Sequence, residues 1–125
     1  MPELEFSSRQ EGAIVIISIG GELDAQLEVA LHDRIEATVR QAAGSTDGKF
    51  SVRLILDLSG VTFLDSSAIR VIINALIGPN RPTKWAVIGG MSGRVERSMG
   101  LLGLTDRLPI FATAAQAMDA ARLES

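Results

Sequence analysis

Residues 53–77 read RLILDLSGVTFLDSSAIRVIINALI. The opening, Arg53 to Leu58, is short, branched and nearly all apolar, the pattern of a strand buried on both faces. Ser59-Gly60 closes it. Asp65-Ser66-Ser67 then places three residues that can cap a helix in a row, and Ala68 to Ile77 follows as that helix. Only Arg70 and Asn74 interrupt its apolar character; four apart, they share one narrow polar stripe. A helix this apolar is either nearly enclosed or offers part of its surface to another protein.

The same alternation extends in both directions. Ala13 to Gly20, AIVIISIG, is a second strand buried on two faces, ended by Gly20-Gly21. Leu4 to Ser8 alternates and is expected as an edge strand paired with it through a turn at Gln10-Glu11-Gly12. Ala25 to Ala43 predicts a helix with Leu27, Leu31, Ile35 and Val39 in one stripe and Asp24 as its N-cap. Gly44 to Lys49 is a loop by composition. Trp85 to Ile88 reads as a strand ended by Gly89-Gly90, and Ser92 caps a short helix packing through Val95, Met99 and Leu102. Pro109 to Phe111 is a last short strand. Thr113 opens a final helix with Ala117, Met118 and Ala121 as its packing face. The order β-β-α-β-α-β-α-β-α predicts an α/β domain: a mostly parallel sheet of about five strands with about four helices.

Composition narrows the chemistry. The chain has 125 residues, the length of one domain. Twelve Lys and Arg against fifteen Asp and Glu leave a net charge of −3, which argues against direct binding to nucleic acid or anionic membrane. With no cysteine, disulfides, thiol catalysis and thiolate zinc sites are excluded. One histidine, His32, and no tyrosine leave few catalytic choices. The start, Met1 to Glu5, lacks a targeting pattern and no apolar run reaches the ~20 residues that membrane insertion needs, so a cytoplasmic location is expected.

In parallel sheets, function gathers at the carboxyl ends of the strands. Three loops are expected on that rim: Gly20 to Asp24, Ser59 to Ser67, and Gly89 to Ser92. Ser66 stands out. A phosphate there would sit by a helix N-terminus, where negative charge is tolerated, and beside Asp65 it would alter the potential of the rim. Ser66 or Ser67 could equally serve only as the cap. Asp24 and Asp65 could form a carboxylate pair, or Asp24 could simply cap the first helix. Asp57, His32 and Trp85 read as a backbone acceptor, a solvated residue and a packing residue. No Gly-rich phosphate cradle occurs.

Gly21-Glu22-Leu23-Asp24 after a buried strand, and Asp57 to Ser67 before an apolar helix, resemble the STAS family (sulfate transporter and anti-sigma factor antagonist). Arg94 to Leu104 is similar to that family's third helix and the turn after it, and the likeness covers about residues 4 to 122. The resemblance implies a single STAS domain over 1–125, acting as an anti-sigma factor antagonist in bacteria. Such a protein, unphosphorylated, binds an anti-sigma factor that is also a serine kinase, and a sigma factor is freed. The kinase spends its own ATP to phosphorylate the antagonist, and a serine phosphatase resets it; the antagonist is not an enzyme and needs no cofactor or metal. Direct nucleotide binding by the rim is left open.

By position in the motif the resemblance makes Ser66 the phosphoacceptor, and Asp24, Asp65 and Ser67 members of the partner-binding rim. Where the family usually has Gly after the two serines, then a small apolar residue and another Gly, this chain has Ala68-Ile69-Arg70. Ile69 is then expected as an apolar anchor at the docking surface and Arg70 as a charge contact. A homodimer through the apolar second helix would also fit. The alternative is a STAS subunit without a switch, in a stress-signalling scaffold or a lipid-transport ATPase complex. A receiver domain or hydrolase fits poorly: no Lys follows the Trp85 strand, an acidic cluster is missing, and His32 lies on the wrong face to serve Ser66.

Overall fold

The computed structural model describes residues 4–44 and 52–124. Two readings lie wholly or partly outside them: the terminal Met1–Glu3, and the loop expected from Gly44 to Lys49 beyond Gly44 itself. The elements run β1 (Glu5–Glu11), β2 (Ile14–Leu23), a 3-10 turn (Ala25–Leu27), α1 (Glu28–Gly44), β3 (Arg53–Leu64), α2 (Ser66–Ile77), β4 (Trp85–Met91), α3 (Gly93–Leu101), β5 (Ile110–Phe111) and α4 (Ala114–Leu123). They form one five-stranded sheet in the order β1-β2-β3-β4-β5. β1 is antiparallel to β2, and every other neighbouring pair is parallel.

Alternation along the strands splits the core in two. Val15, Ile17 and Ile19, Leu54, Leu56 and Leu58, and Ala86 and Ile88 point to one face, where α1, α2 and α3 cover them with Leu31, Ile35, Ile72, Val95 and Met99. Ile14, Ile16, Ile55 and Val87 point to the other, where α4 packs with Ala117, Met118 and Ala121. This two-sided cover is why the central strands read as unbroken apolar runs. α4 is also tied at its far end, where Arg53 Nη1 donates to the carbonyls of Ala121, at 2.8 Å, and Glu124.

The strands do not stop at their glycines. β2 continues through Gly20-Gly21 to Leu23, and β3 through Ser59-Gly60 to Leu64, so that Leu23 and Leu64 are register partners. The ladder slips between Ser18 and Gly20 and again between Gly21 and Glu22. Glycine permits both irregularities. Gly21 has φ +81°, and a Cβ on Gly20 would stand 3.3 Å from the Gly60 carbonyl. These glycines mark a close backbone approach and a bulge rather than an end. β1 likewise runs on to Glu11, so the turn sits at Gly12 and Ala13.

The α3 terminus differs from expectation too. Leu102 is 61% exposed. Gly103 adopts φ +71°, its N–H donates to the Gly100 carbonyl at 3.0 Å, and the Leu104 N–H donates to the Met99 carbonyl at 2.9 Å. This paired C-cap reverses the chain and sends Leu104, instead of Leu102, against the core.

Candidate functional site

The extra ladder between β2 and β3 carries the chain beyond the core and sets Asp24 and Asp65 one residue past paired Leu23 and Leu64. The Asp65 N–H donates to the Leu23 carbonyl at 3.0 Å, locking the two loops together. The third loop joins through Ser92, whose hydroxyl donates to the Val61 carbonyl at 2.6 Å and accepts the Val95 N–H at 3.3 Å. All three expected loops therefore lie on one rim.

The two aspartates act separately. Asp24 Oδ1 accepts the Gln26 N–H at 2.9 Å and caps the 3-10 turn. Asp65 Oδ1 accepts the N–H groups of Ser67 at 3.0 Å and Ala68 at 3.1 Å and caps α2. Neither serine is thus the cap. Asp65 wins because its extended backbone, φ −84° and ψ 176°, turns a carboxylate onto two free amides at the positive end of the helix dipole.

Ser66 becomes the first helical residue. It is exposed, and none of the described residues hydrogen-bonds its hydroxyl. Ser67 is half-buried. Ile69, expected as a docking anchor, is corrected: it is 7% exposed and belongs to the core. Three residues on from Ser66, it falls with Ile72 and Leu76 on the side of α2 that faces the sheet. Arg70, four residues on from Ser66, stays out; its side chain is 67% exposed and lies 3.9 Å from Glu28 of α1. Most of α2's apolar surface is used by the core, with Ile77 the exception at 50% exposed.

The end of β3 and α3 form a depression lined by Thr62, Phe63, Leu64, Arg94, Arg97 and Ser98. Phe63 is 51% exposed. The sequence reading did not single out Phe63, Arg94 or Arg97. The usable signal was that 94, 97, 98 and 101 fall on one helix face.

Asp57 lies within β3 and accepts the Ser59 N–H at 3.0 Å and hydroxyl at 2.6 Å. His32 lines a groove against the C-terminal half of α2 with Val71, Asn74 and Gly78, the end remote from Ser66, and its own contacts are to Asp33 and Glu36. Among the described residues no group of three or more His, Asp or Glu is placed to hold a metal, and no helix is long and apolar enough to cross a membrane.

A family model described as the STAS domain matches residues 5–117. Among curated proteins no sequence matches. Several solved structures are similar. One, from Thermotoga maritima, is described as a candidate anti-sigma factor antagonist (22% identity, 94% of each chain covered, TM-score 0.75). Another is an anti-sigma factor antagonist from Mycobacterium paratuberculosis (25% identity, 96% of this chain and 95% of that one, TM-score 0.68). A third is the anti-sigma factor antagonist SpoIIAA in its unphosphorylated form (20% identity, 96% and 98% covered, TM-score 0.69). The Bacillus cell fate determinant SpoIIAA in its phosphorylated form is also similar (19% identity, 94% and 99% covered, TM-score 0.58).

Proposed function

Because the chain belongs to the STAS domain family, we propose that it is an anti-sigma factor antagonist that works in the cytosol by partner switching. Its unphosphorylated form binds an anti-sigma factor that is also a serine kinase, and a sigma factor is freed. The kinase transfers the γ-phosphoryl group of ATP to Ser66 Oγ: the bond from phosphorus to the bridging oxygen breaks, ADP leaves, and the serine proton passes to a base on the kinase. The phosphorylated antagonist dissociates, and a serine phosphatase resets it by hydrolysis.

The observation that carries this reading is the division of labour at the start of α2. Asp65 does the capping, which leaves the Ser66 hydroxyl exposed and without a hydrogen-bond partner among the described residues. Modifying Ser66 therefore removes no hydrogen bond that holds the fold. It adds a charge of about −1.5 to −2 to a rim that already carries Asp24 and Asp65. The amides of Ser67 and Ala68 are already taken by Asp65, so the phosphate is held at the surface, where it meets a partner. Like charge or lost shape fit across an interface is enough to reverse binding. The likeness to SpoIIAA, a protein with both an unphosphorylated and a phosphorylated form, supports the same reading.

The test is intact mass and peptide mapping after incubation with ATP and candidate anti-sigma kinases. One phosphate, on Ser66, is expected. Ser66→Ala should keep kinase binding and take up no phosphate, while Ser66→Asp should bind more weakly. A phosphate mapped elsewhere, or equal affinity of wild type and both variants, would reject the switch in favour of a STAS subunit without one.

A further inference from the structure

We infer that Arg70 is the built-in charge partner of the phosphate on Ser66, and that phosphorylation moves Arg70 from Glu28 to that phosphate; this rests on Ser66 being the modified residue. Ser66 and Arg70 are four residues apart on α2, so their side chains lie on one face one turn apart, and both are exposed. An anion N-terminal to a cation at this spacing is the favourable order on a helix. In the unmodified chain Arg70 is held loosely. Its Nη1 is 3.9 Å from Glu28 Oε1, beyond hydrogen-bond reach, and the two side chains are 67% and 40% exposed. A phosphate carries up to twice the charge of a carboxylate and three acceptor oxygens that suit the guanidinium fork. It is the stronger partner. Asp65 and Asp24, the acidic groups of the two adjoining caps, already accept amide hydrogen bonds, so they do not compete for the guanidinium; Arg94 and Arg97 of α3 line the depression at the end of β3 and are cations themselves.

The consequence reaches past Ser66. Unphosphorylated, the stripe offers a partner one accessible cation. Phosphorylated, that cation is folded onto the phosphate and Glu28 is released as an uncovered anion on α1. One modification thus removes a positive contact and exposes a negative one.

The experiment uses the full chain with phosphoserine installed at position 66 during translation, which makes it independent of any kinase. The second ionisation of the phosphate, normally near 6, is followed by phosphorus NMR against pH in the wild type, Arg70→Gln, Arg70→Lys and Glu28→Gln. The wild-type value should lie about 0.3 unit below that of Arg70→Gln, a roughly twofold change in ionisation constant. Arg70→Lys should recover most of the difference, Glu28→Gln should lower the value at least as far as wild type, and 1 M salt should erase the gap. The Arg70 side-chain nitrogen resonance should shift on phosphorylation. Equal values in wild type and Arg70→Gln, or an unmoved Arg70 resonance, overturn the inference. Kinases that leave Ser66 unmodified would instead count against the switch itself, with this coupling still measured.

Discussion

The capping geometry makes a quantitative claim about two neighbouring residues. Asp65→Ala removes the acceptor of two amide hydrogen bonds, from Ser67 at 3.0 Å and Ala68 at 3.1 Å. Loss of an N-cap acceptor costs ~1 kcal/mol, within a range of about 0.5–2. Removal of the charge from the positive end of the helix dipole adds about 0.3–1 kcal/mol. Together these give about 1.5 kcal/mol. With an unfolding entropy near 2.1 cal/mol/K per residue, a chain of 125 residues loses about 4 °C in Tm per kcal/mol, so Asp65→Ala should melt about 6 °C lower. Asp65→Asn keeps an acceptor at the cap and should recover most of the loss. Ser66→Ala, at an exposed first-turn position with no hydrogen bond to lose, should stay within about 0.5 kcal/mol of wild type. Urea unfolding monitored by far-ultraviolet circular dichroism, with calorimetry as a second probe, measures all three. If Ser66→Ala destabilises as much as Asp65→Ala, the serine is a cap after all and its hydroxyl is not free.

Three further outcomes test the packing that presents the rim. Gly89→Ala would put a Cβ 2.8 Å from Ile55 Cγ2, 2.9 Å from Ala117 Cβ and 3.1 Å from Ala114 Cα, where two of the three neighbours have little freedom to move; about 1–3 kcal/mol should be lost, with hydrogen exchange faster in α4 than elsewhere. Leu56→Ala, at a side chain with no exposure, should cost about 2–5 kcal/mol in urea unfolding while α4 stays docked by its separate cluster. Ser92→Ala frees both the Val61 carbonyl and the Val95 amide; about 1–2 kcal/mol should go, and amide resonances of Val61 to Phe63 should shift most.

Much was legible in the chain itself. Branched apolar runs at 13–20, 53–58 and 85–88, each followed by a capped amphipathic segment, specify a parallel sheet with helices because the periods of strand and helix differ and each must bury its apolar side. Ser92 and Thr113 cap their helices as read, since a cap is a local hydrogen bond between residues two or three apart. The position of Ser66 beside Asp65 at the start of an apolar helix was legible for the same reason.

Other features needed the tertiary structure. Gly20 and Gly60 read as strand ends, yet they are places where two backbones 40 residues apart come close enough to continue a ladder, and no local pattern encodes that meeting. Whether Asp65, Ser66 or Ser67 would cap α2 could not be settled by propensity, because all three are good caps; the bond from the Asp65 amide to the Leu23 carbonyl holds Asp65 in the extended capping conformation. Ile69 and Arg70 are adjacent in sequence and both departures from the family pattern, but helix geometry against the sheet sends the first into the core and leaves the second in water. Local hydrogen bonding and apolar periodicity are properties of neighbouring residues, so the order of elements and the serine at the head of α2 are written in the chain. Which side chains face the rim depends on where distant strands meet, and only the assembled sheet decided that.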